Sequence, residues 1–337
     1  MTSALDRLPP RAKQRLRPRE QPEWTAPMLA VLTNQRFSDP GWIFERKLDG
    51  ERCLAFRRAG RLRLLSRTRQ SLSDTYPELV EPLASQRSDF IVDGEIVAFQ
   101  GRRTSFERLQ QRIQLHDPDA ALRSGVAVFY YLFDLLYLDG YDTTALALRD
   151  RKSLLRNALS YRDHVRFLPH RKTHGEALYQ DACRKGWEGL IAKRVDAPYQ
   201  HRRSSDWRKL KCVNEQEFVI GGWTDPAGTR IGLGALLVGY YDHGRLRYAG
   251  KVGTGYTQAV LGDLRARLER LARPEPPFQP NRLPRGRVHW VRPELVAQIG
   301  FAELTRDGKL RQPRFLGLRQ DKRPGEVVLE RATPRSR

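Results

Sequence analysis

Two long runs of mainly β-branched and aromatic residues dominate the first half of the chain and limit what it can fold into. Phe90–Phe99 and Val126–Gly140 both end in turn residues, which is typical of strands buried inside a domain. Alternating segments on either side of Ala59-Gly60 predict a strand, a turn and a strand. Helical spacing with one polar face predicts helices at Ser105–Ile113, Leu148–Leu159 and Gly175–Lys185. This pattern predicts a mixed α+β domain.

After the basic run Trp207–Lys211 the pattern changes to short strands. Four apolar segments, FVIGGW, ALLVGYY, RLRYAGKVG and VHWV, are separated by turns and by one predicted helix at Thr257–Leu271. Several short strands with one inserted helix predict a small barrel of the oligonucleotide-binding (OB) type. We therefore predict four regions: a flexible basic arm at 1–24, a first domain at 25–213, a barrel at 214–330 and a basic tail at 331–337.

The charge of the chain indicates the class of its partner. Among its 337 residues, 61 are Lys or Arg and 39 are Asp or Glu, which gives a net charge of +22. With 39% hydrophobic residues the chain can build cores, which argues against a disordered basic protein. A folded chain of this charge indicates a polyanion, most often nucleic acid. A genome that enriches Arg is the alternative, because 50 of the basic residues are Arg.

Cysteine spacing and hydropathy bear on the cellular compartment. Cys53, Cys183 and Cys212 are widely spaced and form no CxxC pair. The sequence therefore predicts reduced, buried thiols, and it supports neither a disulfide framework nor a structural zinc site. No apolar stretch approaches the length of a membrane span, and the N-terminus lacks the apolar run of a signal peptide. We expect a cytoplasmic protein with no membrane partner.

One short segment combines residues that suit covalent chemistry. KLDGER, Lys47–Arg52, places a lysine at the end of a predicted strand, followed by an Asp-Gly turn and an arginine. A lysine amine becomes a nucleophile when its pKa is lowered, and burial or neighbouring cations such as Arg52 lower it. A solvated lysine on a surface hairpin is the alternative for this segment taken alone. Motifs further along the chain favour the nucleophile.

KLDGER resembles the KxDGxR motif of the covalent nucleotidyltransferases, which comprise ATP-dependent DNA ligases, RNA ligases and mRNA capping enzymes. Five further motifs of that family follow in order and at suitable spacing. They are Ser66-Arg67, Asp93-Gly94-Glu95, Leu132-Phe133-Asp134, Glu188–Lys193 and Trp207–Lys211. The resemblance implies an α+β fold in which an ATP-grasp-like nucleotidyltransferase (adenylyltransferase) domain is followed by a β-barrel OB-fold domain.

The resemblance assigns the covalent step to four residues. Lys47 attacks the α-phosphate of ATP and then carries AMP through a phosphoramidate bond. Asp49 belongs to the same catalytic set. Lys209 and Lys211 hold the α-phosphate, where adenylyl transfer must neutralise the charge of the transition state.

The same resemblance places Glu95 and Glu188 at a divalent metal, Mg²⁺ or Mn²⁺, with Glu95 also close to the ribose. Carboxylates suit a hard divalent cation of this kind. A solvated charge at the end of a strand is the alternative for each glutamate. Both lie beside long apolar strands, where an unpaired carboxylate is unfavourable to bury, and this favours the metal or ribose partner.

Further residues are predicted to hold the nucleotide. By resemblance, Glu45 accepts the adenine amino proton and so selects ATP over GTP, and Phe133 stacks on the base. Core packing is the alternative for Phe133, because it lies in an apolar run. The remaining predicted ATP- or AMP-binding residues in this domain are Arg52 and Arg67, which contact the ribose and the phosphate, Lys193, which contacts the phosphates, and Arg46. For Arg67 an ordinary surface arginine is the alternative.

The second domain carries motifs of its own. Leu310–Lys322 resembles the RxDK motif in the barrel domain of DNA ligases, in which Arg319 and Lys322 close over the nucleotide and orient the departing pyrophosphate. Gly250–Gly255 and Val291–Val296 are typical of the ligase domain of bacterial end-joining ligases, the ligase D and ligase C type. Ligase D proteins often carry polymerase and nuclease modules, for which 337 residues leave no room, so we expect a stand-alone catalytic core, nearer the ligase C arrangement.

The function implied is that of a three-step DNA ligase. AMP passes from ATP to the lysine and then to the 5′-phosphate of a DNA nick, and the 3′-hydroxyl displaces it and closes the strand. The implied partners are nicked duplex DNA, a Ku-type end-binding protein and a separate repair polymerase, with the protein acting as a monomer at the bacterial nucleoid. An RNA ligase or RNA end-healing adenylyltransferase is the alternative, and a non-enzymatic scaffold for DNA ends is another.

Overall fold

The computed structural model describes residues 3–113, 115–226, 232–279, 283–284, 286–305 and 307–330. The predicted basic tail at 331–337 lies outside the described residues. The chain divides into two compact units, and the boundary falls between Cys212 and Val213, one residue before the predicted one. No helix in the described ranges combines the length and the apolar character that a membrane span requires.

The first unit contains thirteen strands and six α-helices among the residues described for it. Its strands are β1 Arg17–Pro18, β2 Leu29–Leu32, β3 Trp42–Lys47, β4 Glu51–Arg58, β5 Arg61–Ser66, β6 Phe90–Gln100, β7 Arg103–Thr104, β8 Val128–Leu138, β9 Tyr141–Asp142, β10 Val165–Phe167, β11 His170–Arg171, β12 Gly189–Arg194 and β13 Arg203–Lys211. Its α-helices are α1 Pro10–Lys13, α2 Val80–Ala84, α3 Phe106–Ile113, α4 Pro118–Arg123, α5 Leu148–Ala158 and α6 Gly175–Arg184. Short 3₁₀ turns lie at Leu5–Arg7 and Pro77–Leu79.

These strands form two sheets. The larger sheet has the order β1-β9-β8-β6-β4-β5, with β10 paired to β8 and β7 paired to β6. The smaller sheet has the order β11-β3-β12-β13-β2. The pairs β4–β6 and β6–β8 are antiparallel, as are β3–β12 and β12–β13. The two predicted apolar runs are therefore the neighbouring strands β6 and β8 at the centre of the larger sheet.

The larger sheet is buried on both faces, which explains why its central strands are so apolar. Along β4, Cys53 and Ala55 point to one side and join the helices in the largest core. Leu54 and Phe56 point to the other side and join a second cluster that includes Trp207 of the smaller sheet. This second cluster packs the two sheets against each other. The site described below is built on the sheet faces that line it.

Residues 3–24 pack against the rest of the first unit, so the prediction of a flexible arm over 1–24 is wrong for the part of it that the structure describes. Leu8 and Ala12 are only 6% and 2% exposed and belong to the largest core. β1 pairs with β9, and the Gln21 side chain donates to the Phe90 carbonyl at 2.8 Å. These buried residues could not be recognised from the sequence, because apolar residues are too sparse in this Arg- and Pro-rich segment to give a periodic pattern.

The second unit contains nine strands and one α-helix in its described ranges. The strands are β14 Glu215–Thr224, β15 Leu236–Asp242, β16 Arg245–Val252, β17 Ala272–Arg273, β18 Val288–Val291, β19 Val296–Gly300, β20 Glu303–Leu304, β21 Leu310–Arg311 and β22 Arg314–Leu318, and the helix is α7 Gln258–Arg270. A short 3₁₀ turn lies at Pro324–Glu326. Seven strands form one sheet, in which the long β14 pairs with β15, β18 and β19.

This sheet curls around its own apolar core. β22 pairs with β19, and the Phe315 N–H also donates to the Thr254 carbonyl beyond the end of β16, at 2.9 Å. The last strand, β22, therefore contacts both β19 and the end of β16 at the opposite edge of the sheet, as closure of the predicted barrel requires. The strands β19 and β22, of five residues each, were not among the four predicted.

A disulfide joins Cys183 to Cys212, so the prediction that all three cysteines are reduced thiols is wrong for these two. Their Cα atoms are 5.2 Å apart. The end of α6 lies against the end of β13, where the Tyr179 hydroxyl donates to the Lys211 carbonyl at 2.9 Å. The sequence gives no sign of this approach, because the two cysteines are 29 residues apart. Cys53 is a free, buried thiol, as predicted.

Candidate active site

The register of three strands collects the predicted lysines on one face of the smaller sheet. Gly189 of β12 lies opposite Lys47 of β3 and opposite Lys211 of β13, and Ile191 lies opposite Lys209. Side chains that are paired across strands point to the same face. Lys47, Lys209 and Lys211 therefore share a face, and a glycine separates Lys47 from Lys211.

Lys47, Gly189 and Lys211 form a row across three strands, and Gly189 contributes no side chain between the two lysines. Its φ is +147°, and a Cβ built there would lie 1.9 Å from the Leu210 carbonyl oxygen. No side chain fits so close to a backbone atom, so the neighbouring strand would have to move. The requirement for glycine at this motif position is thus steric.

Lys47 is held by an ion pair. Its Nζ lies 2.5 Å from Glu188 Oε1, and the Lys47 side chain is 19% exposed. Burial lowers the pKa of Lys47, but the carboxylates of Glu188, Glu95 and Asp49 outweigh it and hold the pKa above its usual value. The expectation that neighbouring cations lower this pKa is therefore wrong, because the charged groups that act on Lys47 are carboxylates.

The Asp-Gly turn after Lys47 is fixed by the elements around it. The Phe106 N–H at the start of α3 donates to Asp49 Oδ2 at 3.0 Å, and the Asp49 N–H donates to Thr104 Oγ1 at 3.2 Å. A Cβ on Gly50 would lie 2.1 Å from the Ile96 carbonyl oxygen. These contacts give Asp49 a positioning role, because they anchor the loop that carries Lys47. Its predicted catalytic role stays a prediction.

Arg52 and Glu95 face the site from the larger sheet, where they are cross-strand partners. Arg52 binds Asp93 through two hydrogen bonds, Nε to Oδ1 and Nη2 to Oδ2, each 2.5 Å long. Burial lowers the pKa of Arg52, and Asp93 more than offsets this, so the pKa is raised. The Tyr199 hydroxyl also donates to Asp93 Oδ2, at 2.6 Å. The predicted contact of Arg52 with the nucleotide stays a prediction, and its observed partner is Asp93.

Two carboxylates flank Lys47 and fit a divalent cation. Glu188 Oε2 is buried and finds no hydrogen-bond partner among the described residues. Glu95 is close enough to raise the pKa of both Lys47 and Arg52. No cluster of three or more potential metal ligands occurs in the described ranges. A site with two carboxylates suits Mg²⁺, which takes its remaining ligands from water and substrate phosphates.

Glu45 lies deeper in the same face and is only 1% exposed. Lys152 Nζ of α5 lies 2.6 Å from its Oε1, and Lys193 Nζ of β12 lies 2.7 Å from its Oε2. Burial raises the pKa of Glu45, but the two ammonium groups outweigh burial and lower it. Glu45 is therefore an ionised hydrogen-bond acceptor, as its predicted contact with the adenine amino group requires.

Lys193 lies at the end of the site away from Lys47. It is four residues along β12 from Gly189, which corresponds to about 13 Å of strand. Its Nζ lies 4.2 Å from the centre of the Phe133 ring and 3.9 Å from that of Trp207. Burial lowers the pKa of Lys193. Lys193 thus lies beside Glu45, and its contact with the nucleotide phosphates stays a prediction.

The remaining predicted residues have structural contacts in the first unit. Phe133 is 6% exposed and also lies beside the Arg52 guanidinium, so the ring is part of the core between the sheets. Arg46 alternates with Lys47 along β3, and its guanidinium lies 4.6 Å from the centre of the Trp187 ring. Arg67 follows the end of β5 directly. Base stacking by Phe133 and nucleotide contacts of both arginines stay predictions.

The RxDK residues lie in the second unit. Arg319 binds Asp321 through two hydrogen bonds of 2.8 and 2.9 Å, and Lys322 Nζ lies 3.0 Å from Glu217 Oε2. Within their own unit, both cations therefore have carboxylate partners. Their contact with the nucleotide stays a prediction.

Sequence reasoning missed the partners that hold the predicted residues in place. Lys152 and Tyr199 lie outside every predicted motif, and Asp93 and Trp207 lie inside motifs but were given no role. The sequence signal that these four residues carry is their charged or aromatic character. That signal is too common to identify a site without the pairing that the fold supplies.

Comparisons with known proteins identify the family. The family profile described as ATP dependent DNA ligase domain matches residues 27–211. The profile described as ATP dependent DNA ligase C terminal region matches residues 229–322. The two matches follow each other in the same order as the two units of the structure.

The chain is 41% identical over 321 residues to the multifunctional non-homologous end joining protein LigD of Pseudomonas aeruginosa, which covers 92% of this chain and 37% of that protein. It is 39% identical over 319 residues to the multifunctional non-homologous end joining DNA repair protein LigD of Mycobacterium tuberculosis, which covers 90% of this chain and 40% of that protein. The chain thus spans about two fifths of the length of these curated relatives.

A solved structure described as mycobacterial DNA ligase D complexed with ATP and MES superimposes with a TM-score of 0.65 at 36% identity. The similarity covers 90% of this chain and 98% of that chain. It confirms the predicted order of a nucleotidyltransferase domain followed by an OB-fold domain. Since family profiles match both parts and relatives above 30% identity cover most of its length, the chain belongs to the ATP-dependent DNA ligase family.

Proposed function

We propose that this chain is the catalytic core of a DNA ligase that works through a covalent lysyl-AMP intermediate. Lys47 Nζ attacks the α-phosphorus of ATP, so a P–N bond forms and the P–O bond to pyrophosphate breaks. AMP then passes to the 5′-phosphate of a nick, and the 3′-hydroxyl displaces AMP to close the strand. The observation that carries the proposal is the row in which Lys47 shares one sheet face with Lys209 and Lys211, beside Glu188.

The transfer of AMP to Lys47 requires a proton acceptor and fixed positive charge, and residues of the site have both. Lys47 must lose a proton before it can attack, and Glu188 Oε1 lies within hydrogen-bond distance to receive or relay that proton. Lys209 and Lys211 point to the same face and supply fixed positive charge for the α-phosphate in the transition state. We assign pyrophosphate orientation to Arg319 and Lys322 of the second unit, whose cationic groups suit a dense anion.

Glu95 and Glu188 are the residues that would hold Mg²⁺. When bound there, the cation would offset negative charge on the transferring phosphate. At the other end of the site, Glu45 is an ionised acceptor that suits the adenine amino group. Guanine carries a carbonyl oxygen at that position, which would face the carboxylate without a donor. The arrangement therefore favours ATP over GTP.

For the substrate and partners we propose nicked duplex DNA, a Ku-type end-binding protein and a separate repair polymerase, acting at the nucleoid in the bacterial cytoplasm. The relatives named for non-homologous end joining support this assignment. The net charge of +22 supports a polyanionic substrate. Both family profiles are those of DNA ligases, which favours DNA over RNA as the strand to be sealed.

The test is to incubate the protein with α-labelled ATP and Mg²⁺, isolate it, and chase it with nicked DNA. We expect the protein to become labelled. On addition of nicked DNA, the protein should lose this label and the nick should be sealed. Lys47→Ala should take up no label, while the matched change Lys172→Ala at an exposed lysine should label normally. Label on Lys47→Ala contradicts the assigned nucleophile, and the absence of any adduct on the wild type supports a non-enzymatic scaffold.

A parallel chase decides the strand chemistry. Single-stranded RNA and nicked duplex DNA are offered to the same labelled protein, and the products are separated by size. We expect sealing of the nicked DNA. Sealing of RNA alone would assign the chain to the RNA ligase alternative.

A further inference from the structure

We propose that Lys152 is a positioning residue that fixes Glu45 for recognition of the adenine 6-amino group. The inference rests on the proposed function and deepens it, because it assigns nucleotide-base selection to a residue outside every predicted motif. Lys152 acts through Glu45 and does not touch the reacting atoms.

The contacts of Lys152 form a rigid anchor. Its Nζ donates to Glu45 Oε1 at 2.6 Å and to the Leu168 carbonyl at 2.9 Å. The same ammonium lies 4.3 Å from the centre of the Phe167 ring. With the side chain only 3% exposed, water does not compete for these contacts. The ammonium therefore transmits the position of the α5 helix directly to the carboxylate.

Glu45 is held at both oxygens, by Lys152 on one side and Lys193 on the other. A carboxylate has about four lone-pair sites, so each oxygen keeps a further site for a ligand donor. Two cations beside one anion also keep the carboxylate ionised, and an ionised carboxylate can only accept hydrogen bonds. This is the property that separates the amino group of adenine from the carbonyl of guanine.

The two lysines have different surroundings. Lys193 lies against Phe133 and Trp207 within the core between the two sheets, so its replacement would also disturb packing there. Lys152 approaches from a helix, and its contacts are Glu45, a carbonyl and Phe167. Lys152 is therefore the position where the hold on Glu45 can be changed with the least effect on the rest of the site.

The test compares two nucleotides in the first half-reaction of the whole protein. ATP and purine riboside 5′-triphosphate, which lacks the 6-amino group, are used with wild type, Lys152→Met and the exposed control Lys172→Met. We expect Lys152→Met to raise KM for ATP about tenfold, in line with the loss of a hydrogen bond to a charged group, with kcat nearly unchanged. We expect its KM for the analogue to change by less than about twofold, and Lys172→Met to behave as wild type.

An equal loss for both nucleotides, or an unchanged preference for ATP, would overturn the inference. Sealing of nicked DNA that already carries 5′-AMP shows that the variant is folded, because this step does not require uptake of ATP. If Lys152→Met does not fold, Lys152→Gln keeps a donor but removes the charge, and we expect about a threefold loss of preference. If the wild type forms no lysyl-AMP, the proposed function itself is refuted. If the wild type labels normally, any change in nucleotide preference is due to the substitution of Lys152.

Discussion

Lys47 and Glu188 share a salt bridge of 2.5 Å that uses only one of the two glutamate oxygens. The other, Glu188 Oε2, is buried without a hydrogen-bond partner among the described residues. One carboxylate thus serves the nucleophile and still presents an oxygen that suits a cation. The same pair raises the pKa of Lys47 and so favours its protonated form.

The first prediction concerns the reactivity of Lys47 toward an acylating reagent. Its pKa is raised by Glu188, so less of the free amine is present than on a solvated lysine. In the absence of nucleotide and metal at pH 8, we expect Lys47 to be acylated more slowly than the exposed Lys172. In Glu188→Gln the largest of the carboxylate effects is removed, so burial is opposed only by Glu95 and Asp49; the pKa of Lys47 should fall relative to wild type, and labelling should become faster. Mass spectrometry of the labelled peptides measures both rates. Equal labelling of Lys47 in wild type and Glu188→Gln would show that the pair does not control its protonation.

A second prediction concerns the glycine opposite Lys47. Gly189→Ala places a methyl group against the Leu210 carbonyl at a backbone angle that favours glycine. We expect it to lower the free energy of unfolding by at least about 2 kcal/mol in urea titrations. Gly101→Ala is the matched control, because its φ is +61° and nothing lies within 4 Å of the added Cβ. Its loss should be about 1 kcal/mol. Similar losses for both variants would show that the cross-strand contact is not what requires glycine.

A third prediction concerns the Cys183–Cys212 bridge, which closes a loop between residues 29 apart. A loop of about 30 residues gives an expected contribution of about 3–4 kcal/mol to the free energy of unfolding. We expect Cys183→Ser/Cys212→Ser to lose that amount relative to the oxidised protein, and dithiothreitol to destabilise the wild type but not the variant. Alkylation of the denatured, unreduced protein should modify Cys53 only. Modification of all three cysteines would refute the bridge.

A fourth prediction concerns pH and His170, which lies across from Glu45 on β11. Burial and then the nearby Lys152 lower the pKa of His170 below its ordinary value of 6.5. The unfolded chain therefore binds the proton at a higher pH than the folded protein does. The free energy of unfolding should fall as the pH is lowered from about 6.5 through the folded-state pKa. His170→Asn should flatten this part of a stability curve measured by urea titration, and an unchanged slope would contradict the assignment.

Sequence patterns predicted the elements whose burial is continuous. β6 and β8 were predicted because both faces of the larger sheet are buried, which leaves unbroken apolar runs at Phe90–Gln100 and Val128–Leu138. Leu8 and Ala12 were not recognised as core residues, because each is an isolated apolar residue in a polar segment. Burial of that kind depends on which surface the segment meets, and a local pattern does not contain that information.

The site shows the same division. The motif lysines were predicted, and the register brings Lys47, Lys209 and Lys211 to one face. The direction of the Lys47 pKa shift was predicted wrongly, because its partner Glu188 comes from a distant part of the sequence. The hold of Lys152 on Glu45 was missed for the same reason. Residue types indicate the chemistry, whereas the pairing of charges is a property of the fold.

The bridge also fixes the last residue of the first unit. Cys212 is fixed by its disulfide and by the hydrogen bond from its N–H to the Glu188 carbonyl. Two residues later, the Asn214 carbonyl accepts from the Phe301 N–H and its side chain donates to the Ala302 carbonyl. Only Val213 lies between these two anchors, so the segment that joins the fixed end of the first unit to the fixed start of the second is a single residue. The two units are therefore joined without a longer linker, and the junction begins two residues after Lys211.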